Sequence, residues 1–199
     1  MLSRTRIISS VLVVLAAAGQ ARADQTIALF RHGEKPSGGY GQLACQGFNR
    51  ALALPNVLNA MFGKPQYLYA PNPGVKISDP AGSFNYVRPL AAIEPTAIRA
   101  GLPVNTKYAY TDVAGVQASL ITSAKNNTTA FVAWEHTYLV RIVQNIMNAY
   151  GGGVTVPSWT FGDYDTIYVV RVNYSTGTPQ AQFHKAVEGL NGQSTACPF

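Results

Sequence analysis

The stretch Ile27-Ala28-Leu29-Phe30-Arg31-His32-Gly33-Glu34 runs from an apolar segment straight into a cation, an imidazole and a glycine. Thr26 to Phe30 is short, apolar and flanked by polar residues, and so reads as a buried strand. At the edge of an open α/β sheet, where such a strand stops, ligands bind. Arg31 there offers a planar fork for phosphate or carboxylate oxygens. His32 offers a nucleophile or an acid/base group near neutral pH. Gly33 lets the backbone turn and a ligand approach. Taken alone, the triplet is equally compatible with a strand end carrying a solvated Arg and a packed His, so the rest of the chain decides.

Upstream of this strand the sequence has a different character. Arg4 and Arg6 precede an apolar stretch, Ile7 to Ala18, that is too short to span a bilayer, and Ala21-Arg22-Ala23 forms a small-x-small cleavage site. Residues 1–23 therefore read as a secretory signal peptide, and 24–199 as one domain large enough for a proper core. The chain has 15 Lys and Arg against 9 Asp and Glu. Arg4, Arg6 and Arg22 fall in the leader, which leaves a mild positive excess and no basic run of the kind that binds nucleic acid. No membrane association is expected after cleavage. Cys45 and Cys197 form an even pair in a chain expected to be exported, and are expected to be joined. No metal-ligand spacing appears, and no metal or cofactor is expected.

Downstream, strands and helices alternate, which argues for a layered α/β domain. Helices are expected near 43–58 (with Pro55 breaking the later part), 87–100, 114–123 and 138–150. Strands are expected at Tyr67–Ala70, 104–110, 129–134, 165–172 and, as an edge strand, 180–187. Pro71 to Gly82 reads as a loop. The run Phe131-Val132-Ala133-Trp134 repeats the pattern of the first strand and leads into Glu135-His136. Two of the three histidines thus follow buried strands, where they could converge on one ligand. His184 and Glu94 are expected at the surface, Trp134 in the core.

At this point the chain resembles a family. Arg31-His32-Gly33-Glu34-Lys35-Pro36 is similar to the signature of the histidine phosphatase superfamily, the phosphoglycerate-mutase-like fold. Leu43-x3-Gly47-x2-Arg50-Ala51 is similar to the helix after that signature. Arg88-Pro89 with Ile93, Pro95 and Ala97 resembles the segment that supplies the family's second phosphate arginine, and Trp134-Glu135-His136 the strand end that supplies its second histidine. The resemblance covers nearly all of residues 24–199, in the family's order. It implies a three-layer α/β/α sandwich with a mostly parallel central sheet, in an exported bacterial member.

The resemblance implies that His32 takes up the phosphoryl group of a small phosphomonoester and that Arg31, Arg88 and His136 surround its oxygens with donors. Glu135 and Asp112 compete for the general acid. Glu135 is preferred, because it adjoins His136 and because burial beside Trp134 would raise its carboxyl pKa. The branch of the family with Asp after the second His does not apply, since Thr137 stands there. Glu34 is expected to hold nearby backbone or Arg31, and Arg50 to be a helix-surface cation or a phosphate ligand. The alternative to a phosphatase is a phospholigand-binding or interaction protein with the same fold and no turnover.

Overall fold

The computed structural model of the chain describes residues 24–199; the leader read over residues 1–23 lies outside the described residues. Strand β1 (Asp24–Arg31) is followed by helix α1 (Cys45–Phe62), β2 (Tyr67–Tyr69), a hairpin of β3 (Lys76–Asp79) and β4 (Gly82–Asn85), and α2 (Arg88–Ala100). Then come β5 (Val104–Asn105), α3 (Val113–Leu120), a 3-10 turn (Ser123–Lys125), β6 (Thr129–Trp134), α4 (His136–Tyr150), β7 (Thr166–Asn173) and β8 (Gln180–Val187). The central sheet has the order β5-β2-β6-β1-β7-β8. Its first four strands are mutually parallel, and β7 and β8 extend it in antiparallel pairing.

The alternation of side chains along each strand builds the three layers. Ile27 and Leu29 of β1, with Val132 and Trp134 of β6, face α3 and α4 through Val116, Leu120, Leu139, Ile142, Val143 and Ile146. Ala28 and Phe30, with Phe131 and Ala133, face α1 and α2 through Leu54, Leu58, Ile93 and Ala97. Both β1 and β6 are covered on two faces, which is why they read as unbroken apolar runs rather than alternating ones. The fold is thus the expected α/β/α sandwich with a mostly parallel sheet.

Three local expectations change. Helix α1 passes through Pro55 and runs on to Phe62, because Leu54, Pro55 and Leu58 all lie on its buried face and their packing outweighs the lost backbone bond. The expected strand at 104–110 pairs with β2 only at Val104 and Asn105, after which the chain leaves the sheet. Within the expected loop at 71–82 the β3–β4 hairpin begins, turned by Pro80-Ala81. Exposed His184 and Glu94 and fully buried Trp134 lie as expected.

Arg50 is neither a surface cation nor a phosphate ligand. Its guanidinium is buried and bonds Glu34 at 2.8 Å, Glu188 at 2.8 Å and Asp165 at 3.2 Å. It ties the loop after β1 to the start of β7 and to the chain beyond β8, and it, rather than Arg31, takes the Glu34 carboxylate. Burial pushes the Glu188 carboxyl up to about 8; Arg50 opposes this, and the nearby Asp165 and Glu34 charges add to it.

Helix α1 also anchors the C-terminal tail. Cys45, its first residue, is joined to Cys197 in the expected disulfide. One turn on, Asn49 Nδ2 donates to the carbonyls of Ser194 and Ala196, both at 2.8 Å. The helix packs against the Arg-His-Gly loop through two glycines. A Cβ on Gly47 would stand 2.3 Å from the Glu34 carbonyl oxygen, and one on Gly33 would stand 2.8 Å from Gly47 Cα.

Replacing Gly47 with Ala is therefore expected to destabilise the fold by about 1–3 kcal/mol, since backbone rather than a flexible side chain must move. Chemical denaturation would measure it, and an unchanged midpoint would count against this packing. Reducing the disulfide, which spans a sequence separation of 152 residues, should lower stability by up to about 5 kcal/mol in the chain-entropy account. Thermal unfolding with and without reductant checks this.

Candidate active site

The parallel register of β1 and β6 sets Arg31 opposite Trp134. The residues that follow each strand, His32 on one side and Glu135-His136 on the other, therefore leave the sheet at the same edge. The His32 amide donates back to the Trp134 carbonyl at 3.3 Å, carrying the pairing one residue past the strand end.

His32 is buried, with its ring Nδ1 2.8 Å from the Gly33 carbonyl oxygen. A carbonyl only accepts, so Nδ1 carries the hydrogen and Nε2 keeps its lone pair. Burial holds the imidazole pKa well below its ordinary value, and the neighbouring cations Arg88 and Arg31 push the same way. The ring is thus neutral and oriented, with the Nε2 lone pair unprotonated.

Arg31 is held from behind. Its Nη1 donates to the carbonyl of Phe161 and, at 3.2 Å, to that of Asp163, and its guanidinium lies 4.1 Å from the Tyr164 ring centre. Arg88, the first residue of α2, is gripped by Asp79 through both terminal nitrogens, Nη1 at 2.6 Å and Nη2 at 3.2 Å. Asp79 also accepts from the Gly41 amide at 2.9 Å and from Lys35 at 3.2 Å. Burial would raise its carboxyl, but Arg88, Gly41 and Lys35 together hold it down, at about 2. The Gly39 and Gly41 carbonyls take the Arg88 Nη1 and backbone N–H. The Gly-rich loop thus backs Arg88. At Gly41, φ is +68° and a Cβ would stand 1.9 Å from the Asn85 carbonyl oxygen, so only glycine fits.

Glu135 caps α4, accepting from the Tyr138 amide at 3.0 Å, and its other oxygen stands 2.5 Å from His136 Nδ1. Burial alone would raise this carboxyl, as the sequence suggested. The contact with His136 and the bonds from the Tyr138 and Thr137 amides outweigh it, so the group sits below the usual carboxylate range. The expectation of a raised pKa is not met in the free protein. Asp112 is exposed and caps α3 by accepting from the Gly115 amide at 2.9 Å.

Two residues of this site had no part in the sequence argument. Asp79 lies in the stretch read as loop, although Asp79-Pro80-Ala81-Gly82 is a hairpin-turn signal. Tyr86 is wholly buried, with its ring centre 5.9 Å from that of His32 and 5.0 Å from the Arg88 guanidinium carbon. Arg31 Nε, Arg88 Nε and the Tyr86 hydroxyl are all buried with no hydrogen-bond partner among the described residues. Three donors near one neutral imidazole, each otherwise costly to leave unpaired, are an arrangement that can receive an anion.

No family model matches the sequence, and no curated protein matches it. Solved structures do. A phosphohistidine phosphatase, described as putative, from Nakamurella multipartitia is similar with a TM-score of 0.53 at 11% identity, over 82% of this chain and 95% of that one. A mycobacterial glucosyl-3-phosphoglycerate phosphatase solved with inorganic phosphate is similar with a TM-score of 0.53 at 12% identity, over 82% and 96% of the two chains. A protein described as mycobacterial hydrolase 1 gives 0.54 at 10% identity, over 82% and 97%. The chain has the histidine phosphatase fold, and its named structural neighbours include phosphatases of that superfamily.

The site makes a direct prediction about ionisation. NMR of the imidazole nitrogens should find His32 neutral and protonated at Nδ1 at pH 6, below the ordinary histidine pKa of about 6.5. A His32 ring that is charged at pH 6.5 would contradict the geometry.

Proposed function

We propose that the protein is an exported phosphatase that hydrolyses small phosphomonoesters without a metal, through a phosphohistidine on His32. The observation that carries this reading is the convergence of a neutral His32, its Nε2 unprotonated, with unpartnered buried N–H groups of Arg31 and Arg88. The fold similarity to phosphatases supports it, and the Cys45–Cys197 disulfide fits an oxidising compartment.

In the first step Nε2 of His32 attacks phosphorus in line with the leaving oxygen. The N–P bond forms, the P–O bond breaks, and its electron pair stays on the leaving oxygen. Charge spreads over the three equatorial oxygens, where Arg31, Arg88 and His136 donate to it. The departing oxygen takes a proton from Glu135. In the second step water attacks phosphorus, the P–N bond breaks, and His32 regains its lone pair. The attacking water yields its proton to Glu135, restoring the acid, and phosphate leaves.

Both candidates cap a helix, and Glu135 is the better acid of the two because it is the less exposed and stands beside His136, Arg31 and Tyr86. A phosphate dianion arriving beside Glu135 raises its pKa by like-charge repulsion, so that the carboxyl protonates in the complex rather than in the free protein.

The test uses an aryl phosphate with a good leaving group, an alkyl phosphate, and four variants of the full domain. His32→Ala should abolish hydrolysis of both while keeping the fold. Glu135→Gln should slow the alkyl ester far more than the aryl ester, since only the former needs the proton. Arg88→Ala should cost on the order of 10²–10³ in kcat, as for a lost oxyanion donor. Turnover by the His32 variant would overturn the covalent mechanism. If Asp112→Asn rather than Glu135→Gln shows the leaving-group dependence, the acid is Asp112. Phosphate binding by the unaltered protein with no turnover of either ester would establish the phospholigand-binding alternative.

A further inference from the structure

We propose that Tyr86 is a ligand of the phosphoryl group: its hydroxyl donates a hydrogen bond to a non-bridging oxygen of the group that His32 receives. This rests on the phosphatase reading of the site and extends it to a residue outside the Arg-His-Gly, Arg88 and His136 positions.

The argument begins with what a buried tyrosine requires. Three tyrosines among the described residues are 2% exposed or less: Tyr69, Tyr86 and Tyr168. The Tyr69 hydroxyl shares a hydrogen bond with Ser119 Oγ at 3.0 Å, and the Tyr168 hydroxyl donates to the Pro157 carbonyl at 2.7 Å. Each thereby recovers what its hydroxyl lost on leaving water. The Tyr86 hydroxyl has no such partner at hydrogen-bond geometry among the described residues; the polar group that acts on it is the Arg88 guanidinium, which only donates, so the hydroxyl's own hydrogen has no acceptor. As packing, the Tyr86 ring is well used. It meets the Tyr110 ring edge-on at 5.2 Å and the His32 ring edge-on at 5.9 Å. Phenylalanine would make those contacts without the cost of an unpaired hydroxyl, so packing accounts for the ring and not for the oxygen.

Position supplies the reason for the oxygen. Tyr86 stands two residues before Arg88, at the entry to α2, and the Arg88 guanidinium lies over its ring. Val87 and Arg88 are fixed by their amides to the Gly41 carbonyl, at 3.1 and 2.9 Å, so the backbone that carries Tyr86 is held by the same loop that backs Arg88. The pocket holds two other buried donors without partners, Arg31 Nε and Arg88 Nε. A phosphoryl group in transfer presents three equatorial oxygens that gain charge together. A neutral O–H complements two guanidinium N–H groups there, because it adds a donor without adding a charge. Burial raises the phenol pKa, and the Glu135 charge adds to this against Arg88 and Arg31, so the group keeps its proton throughout the working range.

A hydroxyl held for a ligand has a stability signature opposite to that of a structural one. Removing a structural hydrogen bond destabilises the free protein, whereas removing an unpaired buried hydroxyl does not. Tyr86→Phe is therefore measured three ways on residues 24–199: thermal midpoint without ligand, Kd for inorganic phosphate by calorimetry, and kcat/KM on an aryl phosphate. We expect an equal or higher midpoint, with phosphate affinity and kcat/KM each lowered about ten- to a hundredfold, the usual effect of losing a hydrogen bond to a charged group. A lowered midpoint, or a variant that does not fold, would show the hydroxyl to be structural and overturn the proposal. Unchanged phosphate affinity and turnover in a domain whose parent binds phosphate would overturn it while leaving the phosphatase reading standing. A parent domain that neither binds phosphate nor hydrolyses the ester would overturn both.

Discussion

The parallel pairing of β1 with β6, with Arg31 opposite Trp134, is the constraint on which the site depends. Register in a sheet buried on both faces is strongly specified, since a slip of one residue would exchange the layers packed by Ile27 and Ala28. The large aromatic Trp134 would then leave the α3/α4 face, where its indole donates to the Tyr110 carbonyl at 2.9 Å. Core packing thus places two imidazoles at one sheet edge from segments a hundred residues apart. The chemistry needs no further device to bring them together.

Holding buried cations next to a neutral, buried imidazole requires that their charge be aimed as well as tolerated. Arg31 and Arg88 solve this differently. Arg31 leans on backbone carbonyls and the Tyr164 ring, which orient it without cancelling its charge. Arg88 meets a full carboxylate, Asp79, which absorbs both terminal nitrogens and leaves Nε for the pocket. Glu34, which adjoins the motif and could quench Arg31, is drawn off to Arg50 together with Asp165 and Glu188. The Arg50 cluster thereby keeps three acids away from Arg31 and Arg88 while joining loop, helix and C-terminal segment. Its cost falls on Glu188, whose burial among like charges raises its pKa.

What the sequence made legible follows the range of the forces involved. β1 and β6 are short apolar runs whose meaning is local: the bounds of β6 and the two histidines behind the strands could be read directly, while β1 runs two residues before and one past the apolar stretch 26–30. The long reach of α1 past Pro55 could not, because the penalty of a proline is local while the packing of Leu54 and Leu58 that offsets it belongs to the tertiary fold. The hairpin β3–β4 has few apolar residues and earns its place through Asp79, an ionic contact with no period to detect. The Arg50 cluster joins partners 16, 115 and 138 residues away, a separation at which a single sequence carries no signal. For Glu135, burial was legible from Trp134, but the helix cap and the His136 contact that reverse its effect were visible only as geometry.

That reversal bears on how the site would handle a proton. A carboxyl held low in the free protein offsets part of the positive charge around it and orients His136. The same carboxyl is a poor acid until something opposes its stabilisers. A phosphate dianion does so, since it competes for the donors of His136 and brings like charge close to Glu135. Each pKa unit gained this way corresponds to about 1.4 kcal/mol of interaction between substrate and carboxylate, drawn from the affinity that Arg31 and Arg88 supply. On the proposed mechanism, binding energy from the arginines would thereby be converted into acidity at the leaving group, and the site would become a proton donor only when there is a phosphoryl group to transfer.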